Sequence, residues 1–257
     1  MVLNGEADDA LLDTYESERR PIAKRNVDWA LFTFSNHALT GAAIGIVPGD
    51  PGRSLANFQA LFADSEDGET RRMRLREIMK IHRTEFAASD LDIGFRYTVG
   101  AIVPDGSPEP ERDPSGSHHV PAGRPGHRIP HAWLTRDGSR VSSLDLVCPG
   151  RFTLFVSGTS EAWRAAAQSV ATTGASVDVV EVTEGGHCSD PCGRFRRLCG
   201  LGSGGAVLVR PDQHVAFRVA VAPLDPKARL AEAFDWIRKP SVDLNEQRRT
   251  LRPALTY

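Results

Sequence analysis

The sequence predicts an α+β protein, a helical N-terminal segment followed by a compact α/β unit, and three observations carry that expectation. Apolar residues recur at three- and four-residue spacing between Leu11 and Phe86, the mark of amphipathic helices. A stretch dense in proline and glycine, PDGSPEPERDPSGSHHVPAGRPG (104–126), then excludes any regular element. Beyond it, short runs rich in Val, Phe and Leu alternate with helix-like segments.

Asp8 and Asp9 stand just ahead of Ala10, Leu11, Leu12 and Tyr15, where negative charge favours a helix N-terminus. Pro21 lacks an N–H and its ring crowds the preceding turn. One helix is therefore expected to stop there and a second to start, carrying Ile22, Val27, Ala30, Leu31 and Phe34. GAAIGIVPGDPGR (41–53) reads as a loop, and a charged helix with Met73, Ile78, Met79, Ile81 and Phe86 is expected from about Asp67 to Phe86. GFRYTVGAIVP (94–104) reads as a strand or extended arm.

RFTLFVS (151–157) has the composition of a buried strand, after which Thr159 or Ser160 caps a helix through EAWRAAAQSVATT. Gly174 ends that helix and VDVVEV (177–182) forms the next strand. A short helix around GRFRRLCG, the strands AVLVRP (206–211) and HVAFRVAV (214–221) about an Asp212-Gln213 turn, and the helix ARLAEAFDWIR (228–238) complete the series. This order, strand-helix-strand-helix-strand-strand-helix, is a layout of the thioredoxin kind. The expected organisation is a mostly helical segment over 1–103, a Pro/Gly-rich linker and docking segment over 104–140, a thioredoxin-like α/β domain lacking the redox C-x-x-C over 141–240, and a C-terminal tail over 241–257.

In 257 residues, 31 Lys and Arg oppose 33 Asp and Glu for a formal charge of -2, so no global field draws the chain to nucleic acid or an anionic membrane. No apolar run approaches the ~20 residues of a membrane-spanning helix, and MVLNGEADDA is too acidic and polar for a secretory signal. A cytoplasmic protein is expected. Cys148, Cys188, Cys192 and Cys199 are too few and too clustered for a disulfide framework, which fits a reducing compartment.

Each motif with chemical potential has a bland reading that outweighs it. GLGSGG (200–205) matches G-x-G-x-x-G, but it follows an expected helix and precedes a strand, the reverse of a dinucleotide cradle. CSDPC (188–192) is spaced C-x-x-x-C and lies after the second strand, whereas redox dithiols are C-x-x-C at a helix start after the first. His118, His119, His127 and His131 lack the tight pairing of metal ligands. His187, Cys188 and Asp190 have the residue types of a nucleophilic triad, yet neighbours in sequence seldom face one another. RRMRLREIMKIHR is interrupted by glutamate and reads as a solvated helix face. No catalytic, cofactor-binding or metal-ligating residue is assigned from these patterns.

Four stretches taken together carry more. LLDTYESERRPIA (11–23), GFRYTVGAIVPDG (94–106), RPGHRIPHAWL (124–134) with SSLDL (142–146), and GAVLVRPDQHVAFR (205–218) occur in the order seen in FAD-dependent aromatic hydroxylases. The sequence resembles the C-terminal portion of that family, the phenol hydroxylase and 2,4-dichlorophenol 6-monooxygenase group, with polyketide hydroxylases also similar. Leu11, Leu12, Tyr15, Glu16, Glu18, Arg19, Arg20, Pro21 and Ala23 occupy the places of the family's LL-x-x-Y-E-x-E-R-R-P-x-A, while Gln213 and Phe217 depart from its usual Gly and Trp in the last motif.

The resemblance implies an enzyme that reduces FAD with NAD(P)H and uses O2 to hydroxylate a phenol-type ring. It also implies that the helical segment is left over from a flavin monooxygenase domain, whose FAD-binding motifs and most of whose substrate pocket precede Tyr15. The chain alone is then expected to bind neither FAD nor NAD(P)H and to be inactive, with an N-terminal flavin domain as partner, a phenolic substrate in the full-length enzyme and a homodimer contact. Two other readings stand beside it: a non-catalytic thioredoxin-like interaction or dimerisation module, and a thiol oxidoreductase.

Overall fold

The computed structural model describes residues 1–240; the expected tail at 241–257 lies outside the described residues. The chain divides into two compact units. The first comprises Met1–Ile22, Gly94–Glu111 and the residues from Val120; the second comprises Ala23–Ile93 and Arg112–His119.

The first unit is built on a seven-stranded mixed sheet. Its strands are β1 (Trp133–Arg136), β2 (Ser139–Ser142), β3 (Phe152–Ser157), β4 (Val177–Val182), β5 (Cys188–Ser189), β6 (Ala206–Val209) and β7 (Val215–Val219), in the spatial order β2-β1-β5-β4-β3-β6-β7. β3 pairs in parallel with β4, and antiparallel with β6, which pairs antiparallel with β7. Every residue of β3 and β6 is buried, because both faces of the sheet are covered. Alternation along the strands sends Phe152, Leu154, Val156 and Leu208 to one face. There they meet Trp163 and Val170 of α5 (Glu161–Ala171) and Leu230, Phe234 and Ile237 of α7 (Pro226–Arg238). Phe155, Val207 and Val209 pack on the other face with Phe195 and Cys199 of α6 (Arg194–Cys199) and with Leu134.

The helix ends obey local chemistry. Ser160 accepts the N–H of Trp163 at the start of α5, and Asp225 accepts that of Ala228 ahead of Pro226 at the start of α7. The hairpin β1–β2 lies where the sequence suggested linker and docking segment. It turns through Asp137 (φ 49°) and Gly138 (φ 79°), both left-handed as a two-residue hairpin of this twist requires. Residues 95–127 contain no helix or strand. The segment is nonetheless anchored: Tyr97 N–H donates to Gly126 O (2.9 Å), and Val103 N–H to Ala216 O (2.7 Å).

The N-terminal helix departs from expectation. α1 runs unbroken over Ala10–Ile44 with Pro21 inside it, and the boundary between the two units falls one residue further on, after Ile22. Proline deletes one backbone bond but does not require a break where the flanking turns are held independently. Here Thr14, Ser17 and Glu18 are all buried on the N-terminal side. α1 also extends into the expected loop, and α2 (Pro51–Ala60) starts within it, capped by Asp50 accepting the N–H of Arg53.

In the second unit α3 (Glu66–Phe86) and the single-turn α4 (Ser89–Asp92) follow α2. Only Gly68 and His82 of α3 are buried, and its charges pair along its own surface, Arg71 with Asp67 and Lys80 with Glu77. That is the solvated face the interrupted basic run suggested. Asp90 receives guanidinium groups from Arg25 (3.0 Å) and Arg112 (2.5 Å). Large apolar side chains lie open: Phe34 is 75%, Phe62 72% and Phe86 84% exposed, whereas Phe155 and Phe217 of the sheet are nearly inaccessible.

A Cβ on Gly126 (φ 86°) would sit 2.0 Å from Tyr97 O, so Gly126→Ala carries both a left-handed backbone penalty and a clash with main chain. It is expected to destabilise the first unit by at least about 2 kcal/mol, measured by urea unfolding at unchanged m-value.

Candidate functional site

The most elaborate side-chain assembly of the first unit joins the four motifs that are far apart in sequence. α1 presents Glu18, 5% exposed, to Gly100 and Ala101 in the middle of the 94–106 arm and to Arg210 just after β6. Its carboxylate accepts the Ala101 N–H at 2.9 Å and two N–H groups of Arg210, Nη1 at 2.6 Å and Nη2 at 2.8 Å. A planar guanidinium fits a carboxylate in this two-point way, which sets orientation as well as energy. Gly100 makes the approach feasible: at φ 107°, its Cβ would lie 2.4 Å from Glu18 Oε1.

Arg210 reaches a second carboxylate, Asp212, through Nη2 at 2.8 Å and Nε at 3.2 Å. Burial by itself lowers the Arg210 pKa, but the hydrogen bond to Glu18 and the charges of Asp212 and Glu18 outweigh it and raise the pKa. For Asp212 burial pushes upward, yet His214 and Arg210 together hold the carboxyl well below its ordinary range. Around the ion pair lies a ring stack. Tyr97 packs on His214 at 4.4 Å between centroids, Arg210 lies 5.2 Å over Tyr97, and the Tyr97 hydroxyl accepts from Arg19 at 3.1 Å. Burial raises the Tyr97 pKa against the opposing effect of Arg19, so the phenol stays neutral.

The other two motifs complete the knot. Gly126 N–H donates to Val215 O (2.8 Å) and Val215 N–H to His127 O (2.8 Å), tying 124–134 to β7. Ser143 of SSLDL donates to Pro130 O at 2.7 Å and accepts the Ala132 N–H at 2.9 Å. Arg218 Nε meets Asp105 at 2.7 Å. Gln213 stands at φ 67°, a conformation natural to glycine, and its side-chain oxygen accepts two bonds from Arg128 at 3.0 and 2.6 Å.

The remaining sequence candidates separate. Cys188 is buried in β5 and Cys199 in α6, and burial pushes both thiols up, opposite to what thiolate redox chemistry needs. All four cysteines are free. His187 pairs with Asp137 (2.8 Å), while Asp190 accepts the N–H of Arg196 (3.0 Å) at the start of α6, so no triad forms with Cys188. His118 and His119 belong to the second unit; His127 and His131 belong to the first, where His131 bonds Ser142 at 2.8 Å. A cleft of about 640 Å³ opens beside the ends of β3 and β4, lined in part by Ser157, Thr183, Arg196 and Arg197. Arg196 there lies 3.8 Å from Glu184 and 3.9 Å from Asp190, which offsets its charge.

Residues 122–240 match the family model described as aromatic-ring hydroxylase, C-terminal. Over these residues the chain is similar to the C-terminal part of aromatic-ring hydroxylases. Residues 1–30 match a second model, an FAD binding domain. The chain is 36% identical to 2,4-dichlorophenol 6-monooxygenase of Delftia acidovorans over 84% of its own length and 38% of that protein. To phenol 2-monooxygenase of Pseudomonas sp. (strain EST1001) it is 34% identical over 93% and 40%. Among solved structures, the flavin-dependent monooxygenase PieE, crystallised with FAD and substrate, superposes with a TM-score of 0.81 at 37% identity, over 92% of this chain and 41% of PieE. The chain therefore spans about two fifths of the length of the curated relatives it matches.

The glycine run 200–205 does not have the context of a dinucleotide cradle. The run follows α6 and leads into β6, the reverse of the strand-to-helix order of such a cradle, and two of its glycines are required by close packing on the residues after β7. A Cβ at Gly204 meets Ala222 at 2.6 Å, and one at Gly205 meets Ala220 O at 2.3 Å. The stretch matched by the FAD-binding model contains a 3-10 turn (Val2–Asn4) and the first part of α1.

Removing one member of a buried pair leaves an uncompensated charge, at about 3–5 kcal/mol. Glu18→Gln and Arg210→Met are each expected to lose stability on that scale, with the Glu18→Leu/Arg210→Met double variant losing far less than their sum, read by a denaturation cycle. Because the folded Asp212 carboxyl titrates below its ordinary 3.8, its contribution is full above about pH 4 and fades as pH falls toward the lower folded value. The stability gap between the native chain and Asp212→Asn is expected to narrow over that acid interval, followed by thermal melts at stepped pH.

Proposed function

We propose that the chain is the C-terminal part of an FAD-dependent aromatic-ring hydroxylase that uses NAD(P)H and O2 on a phenol-type ring, and that it does not turn over substrate alone. The carrying observation is one of coverage: relatives named as flavin monooxygenases align with 84% to 93% of this chain but extend well beyond it, the chain spanning only 38% to 40% of their length. FAD, when bound, supplies the oxygen-transfer chemistry. The residues described here take no step in it.

Their part is mechanical. Glu18 with Arg210, and Asp105 with Arg218, fasten the N-terminal turns of α1 and the 94–106 arm to the sheet. Residues 141–240 are read as a thioredoxin-like domain. The order β4-β3-β6-β7, with its first pair parallel and the next two antiparallel, supports that reading, as do the flanking α5 and α7. The open Phe34, Phe62 and Phe86 favour a further portion of the same enzyme, carrying the flavin, as the neighbour of the helical segment. A homodimer is the assembly implied by the family likeness; among the described residues, no helix is long and apolar enough to cross a membrane.

Purified chain mixed with FAD and passed through gel filtration is expected to emerge colourless, without NAD(P)H oxidation in the presence of phenol. Co-purification of yellow, stoichiometric flavin would overturn the reading that the flavin is held elsewhere.

A further inference from the structure

In the second unit, α1 carries His37 while α3 carries His82 and Glu85, the latter two three residues apart and so on one helical face. Glu85 Oε2 lies 3.2 Å from His37 Nε2 and 3.4 Å from His82 Nδ1, and Oε1 lies 3.4 Å from His37 Nε2. All three ligand atoms fall within 4.8 Å of one another. We propose that His37, His82 and Glu85 form a binding site for a divalent transition-metal ion of the zinc class, tying α1 to α3. The proposal is independent of the hydroxylase reading.

Distances favour it over a plain surface ion pair. Charge-assisted N–H···O bonds settle at about 2.7–2.9 Å. Bonds of about 2.0–2.2 Å to zinc at tetrahedral angles instead separate neighbouring ligand atoms by about 3.3–3.5 Å. The His–Glu separations, 3.2, 3.4 and 3.4 Å, lie closer to the second spacing than to the first. The rings of His37 and His82 stand 5.1 Å apart at 69° to each other, presenting an edge to a face without closing the gap to Glu85.

The surroundings prepare the donors. His82 is buried, and its other nitrogen, Nε2, engages Thr40 Oγ1 at 2.5 Å. With Nε2–H donated to that hydroxyl, Nδ1 keeps its lone pair for a metal, the arrangement by which an outer partner fixes a ligand histidine. Two imidazoles and a carboxylate suit zinc, and the exposure of the His37 side chain, 56%, leaves the outer coordination position to water.

The test uses tag-free full chain. Isothermal titration with zinc sulfate is expected to give one equivalent per chain, and cobalt(II) is expected to give the visible absorption of a tetrahedral nitrogen and oxygen site without a thiolate charge-transfer band. His37→Ala and Glu85→Gln, both at accessible positions where circular dichroism can verify folding, are expected to weaken zinc at least 10-fold. Cys188→Ala/Cys192→Ala is expected to leave it unchanged. Absence of binding, retention of full affinity in both ligand variants, or a cobalt spectrum dominated by thiolate would overturn the proposal.

Discussion

The pairing of Glu18 with Arg210 is the contact on which the architecture of the first unit depends. It spans 192 positions of sequence, and each group is costly to bury without the other. Glu18 is fully satisfied only when α1, the 94–106 arm and the end of β6 arrive together, because it accepts the Ala101 N–H as well as Arg210. An apolar contact would tolerate a helix sliding by part of a turn. A two-point guanidinium-carboxylate pair with a third donor does not, so the assembly trades some stability for a defined register.

That constraint explains why α1 survives Pro21. The residues before the proline are fixed by the buried polar face of Thr14, Ser17 and Glu18, and helix formation need only propagate past one lost hydrogen bond. It also explains the two glycines that matter most, Gly100 and Gly126, each lying where a side chain would strike either the ion pair or the main chain of Tyr97. Packing of the sheet is a separate matter. The double-faced burial of β3 and β6 supplies an apolar core on each side, and the polar knot needs only to attach α1 to it.

What could be read from sequence followed from local chemistry. β3, α5, β4, α6, β6, β7 and α7 all appear close to their expected positions because each has its own pattern and, in α5, its own cap at Ser160. Two signals were present and undervalued. Asp137-Gly138 is the strongest short hairpin signature, and Asp50-Pro51 marks a helix start. The ion-pair knot was not legible, since Glu18 and Arg210 are ordinary charged residues until the fold encloses them. The same holds for His37, which stands 45 positions from His82; only the His-x-x-Glu spacing of His82 and Glu85 hinted at a shared face.

The departure at Gln213 shows how such a knot accommodates change. A residue with a side chain at φ 67° carries a left-handed penalty of about 1–2 kcal/mol that glycine avoids. Gln213 recovers part of it through two bonds to Arg128, whose backbone bridges His214 across the same corner. A glycine would follow the bend freely, whereas Gln213 is held in it by a neighbouring guanidinium. Asp212 and His214, on either side, retain their places in the knot because the main chain between them follows the same path. At this corner the conformation of residue 213 is what brings Asp212 to Arg210, and the Arg128 guanidinium helps to hold it.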